Sequence, residues 1–305
     1  MAVYAQGSRS SLAIGEETSF GQEASSFTKV PIKTHSLNLS KEPLKGSDIQ
    51  EDRMPRVSRH GTRSAAGSIE VDLRKGNYDA LLESALLGAF DSADELVVGT
   101  EPKFFTIEDA MNDAGVYRLF TGMTVSSMGI NITPTGQLVE TTFEMVGKDM
   151  VTNNSAKTAT AAQKNDPFGP HDGEMYEGGI GTGDLINIVS SINFTVTNSF
   201  APAYAVGQRT APHLEFGRSI IEGTMSVYVE DDALINKFLD EVESAIQVSV
   251  DDASQSNPYT FFMPRVKFNG ANVPLADPQS RIIELPFEAL YDTGEATQLR
   301  ITRTS

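Results

Sequence analysis

Carboxylates are the side chains that this sequence sets out in regular array. Glu140 and Glu144 lie four residues apart, and Glu284 and Glu288 repeat the spacing. In a strand, even spacing puts side chains on one face. Each pair therefore shares a face, while Val139, Thr141, Phe143 and Met145 share the other around the first pair. Glu70 and Asp72 form a further pair of the same kind. Two carboxyls flanking a bond are the machinery of a glycosidase, which needs a fixed separation and one raised pKa. With 41 Asp and Glu in 305 residues, such pairs arise by abundance alone. The spacing carries no catalytic signal, and no enzymatic activity is expected.

The other candidates are weaker. The four His, at 35, 60, 171 and 213, show no helical two-His zinc spacing. Asp166, His171, Asp172 and Glu174 could hold a cation, but the Pro and Gly around them read as a solvated loop. Gly179, Gly181 and Gly183 look superficially like a phosphate loop. They follow no strand, open no helix and lack a following Lys-Ser/Thr, so they read as linker. Arg53, Arg56, Arg59 and Arg63 form the one basic cluster. It has no interleaved aromatics, and its charges read either as a contact patch or as a solvated loop of small energetic weight. No cofactor and no metal site are expected.

The elements that position these residues are mostly strands. Ser36–Ser40 alternates, and a long polar loop from about 42 to 60 follows. In the next strand Ile69, Val71 and Leu73 alternate with Ser68, Glu70 and Asp72. Asn77 is placed to cap a helix whose apolar face is Tyr78, Leu81, Leu82, Ala85, Leu86 and Ala89. Strands are expected near 103–108, 117–125, 128–133 and 137–146. A Pro- and Gly-rich stretch, 151–183, then breaks the pattern.

The programme recurs. Gly61 and Gly67 return as Gly217 and Gly223, each 156 residues later (217 − 61 and 223 − 67). Met225, Val227 and Val229 follow as Ile69, Val71 and Leu73 do. Asp231 is placed to cap a second helix with Leu234, Phe238, Val242, Ala245 and Ile246 on its face. Phe261 and Met263 fall on Phe105 and Ile107 at the same offset. By the end the offset is 144, where Glu284 and Glu288 meet Glu140 and Glu144. The chain is expected to be one unit built twice: arm 1–30, first domain 31–150, linker or surface loop 151–188, second domain 189–305.

Composition bounds the function. A net charge of −17 opposes a grip on nucleic acid or on an anionic membrane, since binding phosphates requires Lys and Arg. With no Cys, disulfides, thiolate metal sites and cysteine nucleophiles are excluded. There is no apolar run of the roughly 18 residues that span a bilayer, and no apolar segment of a secretory signal near the N-terminus. Synthesis in a cytoplasm is expected.

Four stretches, in order, resemble the major tail tube proteins of siphophages, whose tails are long and non-contractile. They are Arg9–Gly21, Ser36–Glu42, Ile49–Gly67 and Phe120–Gly122 leading to Phe143–Asp149. The resemblance implies a mainly β fold: two tandem copies of a tail-tube-type β-sandwich or barrel, each flanked by one α-helix. It implies a structural virion protein that forms rings, stacked into a hollow acidic tube for DNA passage during ejection. Two units per chain would make the ring a trimer with pseudo-hexameric symmetry. The implied partners are further copies of itself, a tape-measure protein, and the tail terminator and distal tail proteins. DNA would pass only transiently, and no membrane is involved. On this reading Glu140, Glu144, Glu284 and Glu288 face either the lumen or ordinary solvent. Arg53, Arg56, Arg59 and Arg63 would contact the next ring. An extracellular β-sandwich binding module for carbohydrate or a receptor is the alternative, although the chain has no Trp to form an aromatic platform. The inner tube of a contractile tail or type VI-like machine is another.

Overall fold

One bent strand of 17 residues, Val116–Ile132, joins the front of the chain to the back. The computed structural model describes residues 4–48, 51, 54, 56–134, 136–178, 184–185, 189–254, 256, 258–275 and 280–304. The first part holds β1 Ser10–Glu16, β2 Phe27–Val30, β3 Thr34–His35, β4 Asn38–Lys45, β5 Ser58–Asp72, α1 Asp79–Leu86, β6 Glu95–Val97, β7 Phe105–Met111, β8 Val116–Ile132, β9 Glu140–Gly147 and β10 Asp149–Asn153. The connecting stretch adds β11 Ala159–Thr160, β12 Met175–Glu177 and β13 Asp184–Leu185. The second part holds β14 Val189–Thr197, β15 Ala201–Ala203, β16 His213–Glu215, β17 Ile220–Tyr228, α2 Ala233–Leu239, β18 Ser244–Val250, β19 Tyr259–Phe268, β20 Ile282–Ala289 and β21 Arg300–Arg303. The fold is mainly β, with open sheets.

Along one edge β8 pairs with β9 and then β10, from Asn131↔Glu140 to Tyr117↔Asn153. Along its other edge it changes partner at mid-length. Its first half pairs with β7 and its last six residues pair with β14. The bend falls at Gly122, whose φ of +64° favours glycine, and whose N–H donates to the buried Glu17 carboxylate at 2.8 Å. An antiparallel sheet therefore runs without a break through β4, β5, β9, β8, β14, β17, β20 and β19. A second layer in the front part is β2–β1–β7 on the first half of β8. In the back part β12–β18 and β21–β6 flank β19.

Alternation explains the packing. Ile69, Val71, Phe143, Met145, Met128, Phe194, Met225 and Leu285 turn to one side of the long sheet and are buried. Most buried apolar side chains of both parts form one core, and Ala13, Ala24, Phe27 and Leu119 form a small second cluster. Polar links tie the parts together: Asn198 donates to the Ala85 carbonyl at 2.7 Å, Tyr259 donates to Asp79 at 2.6 Å, and Arg303 pairs with both Asp79 and Asp94. Arg303 also lies 4.2 Å over the Phe90 ring. Gly67 (φ +147°) is required at the top of β5, because a Cβ there would lie 2.6 Å from the Ser36 carbonyl oxygen.

Several expectations are corrected. Residues 10–16 and 27–30 do not stand apart as an arm; β1 pairs with β7, and Leu12, Ala13 and Ile14 are buried. The long loop at 42–60 is mostly hairpin, with β4 and β5 paired out to Lys45↔Ser58. The first helix starts at Asp79, and Asn77 exchanges side-chain hydrogen bonds with the Gln163 backbone instead of capping it. The second helix ends at Leu239. Glu241 takes a left-handed φ of 54°, and Ala245 and Ile246 belong to β18, where alternation outweighs helical spacing. Phe261 and Met263 lie on β19, which pairs with β20 as β8 pairs with β9, so they do not occupy the place of Phe105 and Ile107 on β7. The stretch 151–178 is woven into the fold: β11 pairs with β2, β12 with β18, and Phe168 is buried against Tyr259 with ring centroids 5.2 Å apart.

Phe168 generates a sharp expectation. Its N–H donates to the Leu73 carbonyl and its carbonyl accepts from Val139 N–H. Phe168→Ala should lower unfolding stability by about 3–5 kcal/mol in urea titration, whereas a solvated linker residue would change it by less than about 0.5 kcal/mol. Asp109 gives a second. Burial raises its pKa, but hydrogen bonds from His35 and Arg118 outweigh this and hold the carboxyl below its ordinary value. Its contribution is therefore present above the unfolded pKa of about 3.9 and is lost as pH falls through the lower folded value. Asp109→Asn should cost about 1–3 kcal/mol at pH 7, and the two stability curves should converge in acid.

Candidate functional site

The exposed side of the long sheet is where the acids gather. Glu144 on β9 stands opposite Ser68 on β5 and Ser127 on β8. Glu140 stands opposite Asp72 and Asn131, and Glu70 opposite Thr142. Past the seam, Thr195 on β14 faces Glu222 on β17, and Glu222 faces Glu288 on β20. Glu284 faces Ser226. So Glu140, Glu144, Glu284 and Glu288 share one face of one sheet, joined by Glu70, Asp72 and Glu222. Between them lie Ser, Thr and Asn. Each acid alternates with a buried apolar neighbour, so the strand pleat alone aims it outward.

The two parts treat their acids differently. Lys33 bridges Glu140 and Asp72, and the hydrogen bond to Glu140 raises its pKa. Glu222 and Glu288 are directly opposed like charges, an arrangement that destabilises a sheet. Lys267 lies beside Glu288 in the ladder, but its ammonium pairs with Glu241 at 2.8 Å and lowers that carboxyl's pKa. Glu222 and Lys33 were not singled out from sequence. Glu222 was legible as an outward position between Ile221 and Gly223, whereas Lys33 precedes its strand and carried no periodic signal.

The ladder also corrects the alignment of the acids. Gly67 pairs with Met145 and Gly223 with Phe287, an offset of 142 (287 − 145) for these strands rather than 144. On the expected repeat, Glu284 would then hold the place of Thr142. An even shift keeps every side chain on its face, so the acidic face survives the correction.

The arginines are dispersed. Arg53 lies outside the described residues. Arg56 is exposed at the hairpin tip, and Arg59 is exposed on β5 opposite Leu44. Arg63 is partly buried, and its guanidinium pairs with Asp149 of the same chain at 2.5 Å. Its N–H donates to the Arg209 carbonyl at 2.8 Å, so a loop of the back part reaches the front part here. In the loop at 166–174, Glu174 accepts from the Tyr176 hydroxyl at 2.7 Å, and its backbone exchanges hydrogen bonds with Ser249. His35 lies 3.4 Å from Asp109. Gly179, Gly181 and Gly183 lie outside the described residues.

Chemically, the face is a wall of carboxylates and small hydroxyl and amide groups. Such a wall repels polyanions over roughly 8 Å at physiological ionic strength. Its basic groups, Lys33 and Lys267, are paired with carboxylates, and Tyr228 is an exposed aromatic ring at its margin. A family model described as phage tail tube protein matches residues 7–289, and no curated protein matches the chain. The chain belongs to the phage tail tube protein family: it is a structural component of the virion tail that assembles with copies of itself into a tube.

Proposed function

We propose that this chain is the major subunit of a long, non-contractile tail tube whose bore is lined by the acidic face. The observation that carries this is the unbroken sheet through both parts of the chain, with Glu70, Asp72, Glu140, Glu144, Glu222, Glu284 and Glu288 on one side of it. A bore so lined lets DNA slide without sticking during ejection, because Lys33 and Lys267, the cations beside these acids, are already paired with carboxylates and the acids outnumber them. The Glu222–Glu288 opposition supports the reading, since it costs the sheet stability and finds a use in a wall that repels polyanions.

Two further features support a chain built from two equivalent units. The strand order β4–β5–β9–β8 in front is matched by β14–β17–β20–β19 behind. Gly67 and Gly223, 156 residues apart, both admit a close neighbouring carbonyl, Ser36 at 2.6 Å and Asn193 at 2.4 Å from a built Cβ. Three copies then supply six similar sectors, a trimer with pseudo-hexameric symmetry. Rings stack around a tape-measure protein, and the column ends on terminator and distal tail proteins. The hairpin of β4 and β5 has exposed residues along both strands, which supports a contact of Arg56 and Arg59 with the next ring.

Reversing charge on the face tests the bore. Glu144→Lys with Glu284→Lys should leave tube assembly intact, since both side chains are exposed, and slow DNA ejection from reconstituted virions several-fold. Wild-type ejection kinetics from fully charge-reversed tails would contradict the reading. The hairpin is tested separately. Arg56→Glu with Arg59→Glu should leave rings intact and shorten or abolish tubes in electron micrographs; tubes of normal length would remove those arginines from stacking.

A further inference from the structure

The seam between β8 and β14 joins two unlike edges. One is the outer edge of a bent strand's last turns of pleat; the other is the outer edge of the strand that precedes a long hairpin. Both kinds of edge recur in this chain. Residues 269–275 continue β19 past β18, with Asn272 bridged to Glu284. β3 and β4 pair with β5 and, among the described residues, with no strand on their other side.

The ladders say which residues correspond. Gly129 pairs with Thr142, and Asn272 with Glu284, 142 residues on (284 − 142). Thr195 pairs with Glu222, and Asn38 with Ala66, 156 residues back (222 − 66). Within the chain, Gly129 stands opposite Thr195 across the seam. We infer that residues 269–275 of one copy pair antiparallel with β3–β4 of the next copy in the register of the seam, Asn272 opposite Asn38. The inference rests on the tail-tube reading above and names the contact that closes its ring.

The backbone polarity fits. Across the seam Asn198 N–H donates to the Ser126 carbonyl, so the even-numbered residues of β8 bond to β14. Asn272 exchanges N–H and C=O with Glu284 at 3.0 and 2.8 Å, which turns the groups of Ala271 and Val273 outward. Ser36 N–H donates to Ser68, which turns those of Leu37 and Leu39 outward. The register brings Val273 to Leu37 and Ala271 to Leu39, donors facing acceptors; in the single chain the Val273 carbonyl accepts from Arg281 Nη2 at 2.9 Å, a contact the joint would share or replace. Pro274 shares the parity of Asn272, so the residue without an N–H is turned away from the joint. In the single chain the Leu39 N–H is held by its neighbour's Asn38 Oδ1 at 2.9 Å, and His35 Nδ1 is buried without a partner. Leu275 is 78% exposed. The register sets it opposite His35, at the place where Ile132 meets Ile192 in the seam.

Because the chain has no Cys, engineered pairs give an unambiguous readout. Asn38 and Asn272 would form a non-hydrogen-bonded pair, with Cα atoms about 4.5 Å apart, inside the range of about 4.4–6.8 Å that a disulfide accepts. Tubes assembled from Asn38→Cys/Asn272→Cys and mildly oxidised should give covalent multimers on a non-reducing denaturing gel, ending at a cyclic trimer. Ser36→Cys/Asn272→Cys, slipped by two residues, should cross-link at least tenfold less. A second in-register pair, Ser40→Cys/Gly270→Cys, reads the same joint should the first fail to assemble. Tubes of both in-register pairs that stay monomeric on the gel, or that cross-link no better than the slipped pair, overturn the joint and leave the tube reading standing. Wild-type protein that forms neither rings nor tubes overturns both.

Discussion

A β-strand has two edges of backbone donors and acceptors, and leaving either unmet in a buried setting costs about as much as a lost hydrogen bond for each group. In this protein β8 carries that constraint. It is too long for one partner on its second edge, so β7 and β14 divide it between them. The division makes one sheet out of two parts of the chain and places both parts on a common core. It also fixes the acidic face, because a sheet that is continuous in hydrogen bonding is continuous in its alternation of buried and exposed side chains. Had β14 paired one residue out of register, its Phe194 and Val196 would have turned to water and Thr195 to the core.

The electrostatics follow from that geometry rather than from any single residue. Exposed carboxylates on a sheet face interact weakly one by one, and each ion pair at such a surface is worth little. What matters is that they are collected on one side while most cations are committed elsewhere: Lys103 to Glu83, Arg118 to Asp109, Lys237 to Glu177, Arg265 to Glu243. In the proposed tube such a face would turn to the bore, while contacts with further copies would run through other surfaces.

Much of this could be read from the sequence where the signal is local. Period-two alternation placed Glu140, Glu144, Glu284 and Glu288 on strand faces, and Gly67 and Gly223 stood out as a recurring pair, which the structure finds at close approaches. What was missed is non-local. Strand pairing between residues such as Ile130 and Phe194 leaves no trace in either segment, so the seam was invisible. Phe168 was read as linker because Pro and Gly report on the backbone, not on burial. The second helix was drawn too long because Val242, Ala245 and Ile246 fit helical spacing as well as they fit the start of a strand. The arm was misjudged because Ser and Gly around Leu12–Ile14 hid a strand with four buried residues in a row. The arginines at 56, 59 and 63 read as one cluster, and the hairpin spreads them along its length.

The central claim is that the exposed side of the long sheet faces a bore. A cryo-electron-microscopy reconstruction of tubes assembled from the purified protein tests it most directly. The account predicts a continuous inner wall of strands with Glu144, Glu222 and Glu284 pointing to the axis and α1 and α2 outside it. A tube whose lumen is lined by the helices or by the β1–β2 layer, with those carboxylates on its outer surface, would contradict it.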